Sequence, residues 1–577
     1  MANKSLWGSS PTTVAGEWRG VFAKRRTVAT LMLGTSLALL SACSSSNDPA
    51  SALGRKTKLV APGNSGNNSG SGSTTSTPAP TPTPTPVAAV SGGVYDASIG
   101  AGVDADGFAS LPLRSGAHRF FVNSATGADS NGCSGSQQPS SPLKSIPAAM
   151  ACVQDGSGDQ VLLAEGTSYN QDIGWLAFKQ GYSATYPMVI SSYDPADPAN
   201  EARYGRGDQR NARPVITVPQ SQLGNGTYNY YAIKGLDFNP GNVASAGFGF
   251  IGKAGYVLVE NNIFRYTGLT FDSAEAQTVF PTTQKLIVRN NAIYGMWNSG
   301  GRTGGVYIAG YVGPTLEDNV FYHCGWKIGA NRDDDPSVGG ATVFSHSYYI
   351  QTNTTGAIVR RNLSADGAGD GGIARGDSSF TENLFIDNPA AIGVGGGPSY
   401  NTDRPNGVTF DVSYNAIIGD ADVNSSHTLG WAINTTNGQQ GSRVHNNLIV
   451  RSRNPSGPSM SGFSNNAQFD QPSYAQYDHN LMYQWVALTG QVYWPSCGAF
   501  LAQCHTSYDS NNWDGLAQGT NTNSAATSFA TPYTAAQLYA ALGFADKSAF
   551  INYAINHPET HIQRTARSML FTGYGMN

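Results

Sequence analysis

The chain is short of charge. Of its 577 residues 12% are charged, and 38 acidic against 34 basic residues leave a formal net charge of −4. No basic face or run stands out, which sets nucleic-acid binding aside, because neutralising phosphates demands one. Cysteine is scarce as well: six residues, with no CxxC and no Cys/His spacing suited to zinc. A long hydrophobic run is also missing. The one apolar stretch, VATLMLGTSLALL at 28–40, is too short and too closely flanked for a comfortable membrane span. Glycine, by contrast, is abundant at 69 residues.

Lys24, Arg25 and Arg26 precede the apolar stretch, and Ser41, Ala42 and Cys43 follow it. A basic segment, a short apolar core and small residues before a cleavage point make a secretory signal. LSAC, ending at Cys43, resembles the lipobox of bacterial lipoproteins. That resemblance implies a signal peptide over 1–42 and a lipidated Cys43. With Ser44 next, it implies an outer-membrane lipoprotein of the cell envelope, held to the membrane by its lipid alone. Residues 43–93 then read as a disordered tether of Ser, Gly, Asn and Thr, with TPAPTPTPTP at 77–86. Such sequence buries no core, and its Pro-rich part extends by about 3.1 Å per residue. Cys133 with Cys152, and Cys497 with Cys504, are near neighbours suited to local disulfides in an oxidising compartment. Cys324 in VFYHCGW reads as a buried free thiol.

A repeat dominates the rest. YVLVENNIF, KLIVRNNAI, PTLEDNVF, AIVRRNLS, SFTENLF, FDVSYNAI, SRVHNNLI and AQYDHNLM align on Asn262, Asn291, Asn319, Asn362, Asn383, Asn415, Asn447 and Asn480. Three residues before each Asn stands an apolar or aromatic residue. Two after it stands another, except Ser364. Each unit is a strand, a bend at Asn and a second strand, so stacked units build an Asn ladder over an apolar interior. Upstream, SPLKSIPAAMACVQDGSGDQVLLAEGTSY (141–169) gives a short amphipathic helix, a glycine turn and a strand. Together these resemble right-handed parallel β-helix proteins of the pectate-lyase-like superfamily. The resemblance implies an all-β solenoid over 94–490 with an N-terminal capping helix. Residues 491–577 read as a loop and helices that either cap the last coil or lie along its side.

The repeat breaks in one region. Asn319 and Asn362 are 43 residues apart, and Asn362 and Asn383 only 21, against 28 to 33 elsewhere. The long interval holds NRDDDPSVGGATVFSHSYY (331–349), and an insertion in a solenoid becomes a loop on one face. Asp333, Asp334 and Asp335 fit three roles: solvated loop charge, calcium ligands, or a catalytic acid. Strand parity turns Tyr348 and Ile350 inward and Tyr349 and Gln351 outward. One coil earlier it turns Val306 and Ile308 inward and Tyr307 outward. Tyr307 and Tyr349 then make a pair of outer aromatics suited to sugar faces. His346 is a candidate base, and the tight coil adds Asp366, Asp370, Arg375 and Asp377.

The superfamily resemblance implies action on acidic polysaccharides by an exported, monomeric protein. β-Elimination needs a group to neutralise the uronate carboxylate, a base for the C5 proton and an acid for the leaving oxygen. Arg375, His346, Tyr349 and Asp370 are the catalytic candidates. Tyr307, Gln351 and Asp377 are candidates for binding substrate, and Asp333–Asp335 for binding calcium. GGIARGD and FTENLF resemble the arginine-bearing coil of the chondroitinase B and alginate lyase family, which implies a base or acid role for Arg375. That family's partner lysine has no counterpart in IQTNTTG. A glycoside hydrolase using two of Asp335, Asp366, Asp370 and Asp377 is an alternative, as are a C5-epimerase and a non-catalytic carbohydrate-binding rod.

Overall fold

The computed structural model describes residue 103 and residues 107–576, except 172, 174–178, 208–212, 273–284, 397–406, 420, 428, 451–460, 467–473, 484–492, 495–506, 510–511 and 514–532. The signal segment, Cys43, the tether, Cys497 and Cys504 lie outside the described residues.

Three parallel sheets of 13, 12 and 10 strands make up the body. The first runs from Arg119–Val122 to Ser507–Asp509, the second from Ser168–Tyr169 to Asn512–Trp513, and the third from Gln220–Tyr228 to Tyr493–Trp494. Each full coil visits the three sheets in turn and pairs with the coils before and after it. This is a right-handed parallel β-helix. Strands past residue 490 belong to it too, so the coils outrun the boundary that the Asn spacing suggests.

The bend between the first and second sheets explains the repeat. Each ladder Asn donates its Nδ2 to the Oδ1 of the next, in seven bonds of 2.9–3.1 Å. The same Nδ2 reaches a carbonyl of the preceding coil, as from Asn291 to Val259 and from Asn383 to Val359. The residue before each Asn is left-handed, with φ between 52° and 58°, although none is glycine. That conformation turns the chain sharply, and the buried amides satisfy the backbone groups that the turn exposes. Val257, Val259, Phe264, Leu269 and Phe271 show how one coil fills the interior.

Helix Ile146–Cys152 closes the first coil. Ser145 Oγ accepts from Ala148 N, and Ile146, Ala149 and Met150 join the interior with Phe120, Val122 and Val161. Cys133 and Cys152 form a disulfide. At the other end, helices Ala535–Ala541, Lys547–Asn556 and Ile562–Gly573 pack along the side of the coils. Leu538, Phe550, Ile551, Leu570 and Phe571 cover Ala292, Val320, Leu363, Leu384 and Ala416 on the outer face of the second sheet.

Candidate functional site

The third sheet ends each coil. In strand His346–Ile350, Ser347 and Tyr348 both point inward: Ser347 Oγ lies 2.9 Å from Ser364 Oγ, and Tyr348 packs on Phe321 and Phe380. Two inward residues in succession break the simple alternation of a strand. His346 and Tyr349, flanking them, share the outer face, with their rings 5.5 Å apart. One coil earlier Tyr307 pairs with Tyr349, and their rings stack at 6.0 Å and 11°. One coil later Ile373 pairs with Tyr349, which brings Asp370 beside His346.

His346 Nδ1 stands 3.0 Å from Asp370 Oδ2, a close ion-pair approach rather than a well-aligned hydrogen bond. Both residues are largely buried, at 9% and 7% exposed. The carboxylate thus faces the Nδ1 side of the ring. Sequence reasoning missed Gly393, in the next coil. A Cβ there would sit 2.8 Å from Ile373 Cγ1 and 3.4 Å from Asp370 Oδ1. The run IGVGGG, ending at Gly397, was the available signal, since glycine marks a close approach.

Other candidates stand apart. Arg375 and Gln351 occupy the far end of the same face. Arg375 is five residues beyond Asp370, about 16 Å along an extended strand. Its Nη1 donates to Gly395 O at 3.3 Å. Gln351 Oε1 accepts from Thr352 N at 2.8 Å. Asp377 lies on the turn into the first sheet, where its Oδ1 accepts from Thr409 N at 2.9 Å. Of the hydrolase candidates, Asp366 pairs with Lys547 of the C-terminal helices at 2.8 Å.

Each of the three aspartates accepts a backbone hydrogen bond. Asp333 accepts from Ser425 N, Asp334 from Asn331 N at 2.9 Å, and Asp335 from Ser337 N at 2.8 Å. Each carboxylate is thus committed to a separate backbone donor. Among the described residues no three His, Cys, Asp or Glu side chains group as metal ligands. The aspartates shape the inserted loop. Asp335 caps the short turn Pro336–Val338, and Asp333 ties the loop to the turn at 424–427. Arg332 adds bonds to Asp422 O at 3.2 Å and Gly367 O at 3.0 Å. The loop therefore spans the neighbouring turns and leads straight into His346. Upstream of the loop, just after strand Val320–Tyr322, Cys324 is buried, and burial pushes its thiol up to about 12.

Neither a family model nor a curated protein sequence matches the chain. Solved structures resemble it at low identity. XylC in complex with xylose is 11% identical with a TM-score of 0.42, over 69% of this chain and 84% of that one. A PL6 family polysaccharide lyase from Pseudopedobacter saltans is 12% identical at 0.34, over 69% and 94%. The pectate lyase Pel9A is 13% identical at 0.32, over 70% and 80%. At these scores the comparisons add nothing to the fold that the strand pairing already defines.

Proposed function

We propose that this chain is an exported, lipid-anchored polysaccharide lyase that cleaves a uronate-containing polymer by β-elimination on the outer face of its third sheet. The observation that carries this reading is the His346–Asp370 pair with the Tyr349 ring beside it. His346 removes the C5 proton. Tyr349 protonates the leaving glycosidic oxygen. Asp370 holds the imidazole in place beside the reacting carbon. The stacked Tyr307 and Tyr349 offer a flat apolar surface to a sugar ring next to the reacting one. Arg375 and Gln351, farther along the face, bind a neighbouring sugar residue rather than the reacting one.

The hydrolase alternative is less well served. It needs two carboxylates about 5–9.5 Å apart across the bond, and Asp335, Asp366 and Asp377 are engaged elsewhere. The test is a panel of uronate polymers given to the full-length protein. Ultraviolet absorbance from unsaturated uronate ends is the expected result. New reducing ends without that absorbance would replace the lyase with a hydrolase, and silence in both would leave a binding rod.

A further inference from the structure

The outer face of the third sheet carries a polar pair that the proposed reaction does not use. It lies one coil before Tyr307, on strand Gly268–Asp272. Leu269 and Phe271 turn into the interior there, so Thr270 and Asp272 turn outward. We infer that Thr270 and Asp272 form a subsite for an uncharged sugar, and that the polymer this chain cleaves therefore mixes neutral sugars with uronates. The inference rests on the lyase reading for its catalytic consequence and on strand geometry for its binding consequence.

Strand pairing seats the two side chains in a recess. Thr270 pairs with Tyr307 of the next coil and with Gly249 of the coil before. Tyr307 in turn pairs with Tyr349, so the two rings rise on one side of Thr270, and Gly249 adds no side chain on the other. Asp272 pairs with Ala309, a small residue. Thr270 and Asp272 stand two residues apart, about 6.6 Å along the strand, and Tyr349 lies two coils on, about 10 Å along the rod. A sugar held by Thr270 and Asp272 thus belongs to the same bound chain as the sugar that reacts beside His346 and Tyr349.

The chemistry of Asp272 selects the kind of sugar. The residue is half-buried, and burial pushes its carboxyl up. Other buried carboxylates of this molecule are met by cations: Glu260 by Lys234 and Arg289, Asp237 by Arg265. Among the described residues no cation meets Asp272 in this way. A carboxylate so placed accepts hydrogen bonds from neighbouring hydroxyls of a sugar ring, which replace the water that burial removed. It repels the carboxylate of a uronate at the same position, and such repulsion rejects a close analogue as effectively as a good contact accepts the right one. Thr270 adds a hydroxyl that both donates and accepts. The subsite therefore reads the charge of a sugar more than its outline.

The test uses the full-length protein, with a chelator present, on polygalacturonate, polymannuronate, polyguluronate and polyglucuronate. Each polymer is used intact and after part of its carboxylates has been reduced to primary alcohols, which turns those uronates into the matching neutral sugars. The first readout is kcat/KM for unsaturated ends, expressed per remaining uronate. Wild type should favour the partly reduced form of at least one polymer. Asp272→Asn removes the charge and keeps the shape, so it should raise kcat/KM on the intact form at least about tenfold and change the partly reduced form far less. Asp272→Glu should keep the wild-type preference. The second readout is calorimetric binding of oligosaccharides cut from the same intact and reduced polymers, which needs no cleavage. A wild-type preference for the intact form, or an equal change on both forms in Asp272→Asn, would overturn the inference. A preference for the reduced form that Asp272→Asn abolishes, in a protein producing no unsaturated ends, would keep the subsite and refute the lyase. Neither cleavage nor binding anywhere in the panel would overturn both.

Discussion

At the scale of single residues, the site depends on where one imidazole points. His346 owes its outward position to Ser347 and Tyr348, which turn inward together and leave the histidine beside Tyr349. Asp370 never needs to touch substrate. Its work is to hold the ring, so Asp370→Asn should lower kcat on the order of 10²-fold with little change in KM, read from steady-state kinetics on the cleaved polymer. An unchanged kcat would make the pair a structural contact only. Cys324 gives a control for folding. Its thiol is buried and pushed up to about 12, so a thiol reagent should leave the native protein unlabelled at Cys324 and modify it in denaturant. Native labelling would mean that the coil at Cys324 opens.

At the scale of elements, the ladder and the C-terminal helices carry the stability. Asn383 takes hydrogen bonds from the backbone and side chain of Asn362 and gives its own to Asn415 and Val359. Asn383→Ala leaves several buried donors and acceptors without partners, at about 1–3 kcal/mol each. A loss of at least about 3 kcal/mol in urea unfolding is expected, and a loss under about 1 kcal/mol would show that the ladder is decorative. The helices are latched by charge as well as by apolar contact. Burial pushes the Asp318 carboxyl up, but Arg361, His561 and Arg564 outweigh it and hold the group well below the usual carboxylate range. Burial holds His561 down to about 4, and His323, stacked on Trp326, down to about 4 as well. The unfolded chain takes up these imidazole protons near pH 6.5 and the folded chain only near 4. Stability is therefore complete above about pH 6.5 and falls as pH drops from there toward 4, with Asp318 extending the decline below that. Thermal melts across this range should show the fall, and His561→Gln should flatten part of it. A melt that rises on acidification would contradict the assignment.

At the scale of the whole molecule, the solenoid was legible and the site only partly so. The ladder Asn residues recur in fixed phase with apolar neighbours because each coil solves the same packing problem, and the structure stacks them amide to amide. Tyr307 and Tyr349 stack as strand parity places them, since both sit in the regular middle of their strands. The corner at Ser347–Tyr348 was not legible. It depends on Ser364, the one polar residue at an otherwise apolar ladder position, which accommodates the Ser347 hydroxyl from a neighbouring coil. Nor was the local use of the aspartates, because Asp333 finds Ser425 across 92 residues of sequence. The same geometry predicts that a chelator leaves activity unchanged, and loss of activity restored by calcium would show that a cation site forms outside this loop. Among the described residues no helix is long and apolar enough to cross a membrane. The proposed attachment through lipid at Cys43 is checked by whether Cys43→Ala moves the protein from the membrane to the soluble fraction.

The measurement that bears most directly on the account is the appearance of unsaturated uronate ends, followed by ultraviolet absorbance, with wild type and His346→Gln side by side. The account predicts product with wild type and a loss on the order of 10²–10⁴-fold in a variant that melts like wild type. Product formed equally well by the well-folded variant would contradict it, and the chemistry would then have to be sought on another face of the β-helix.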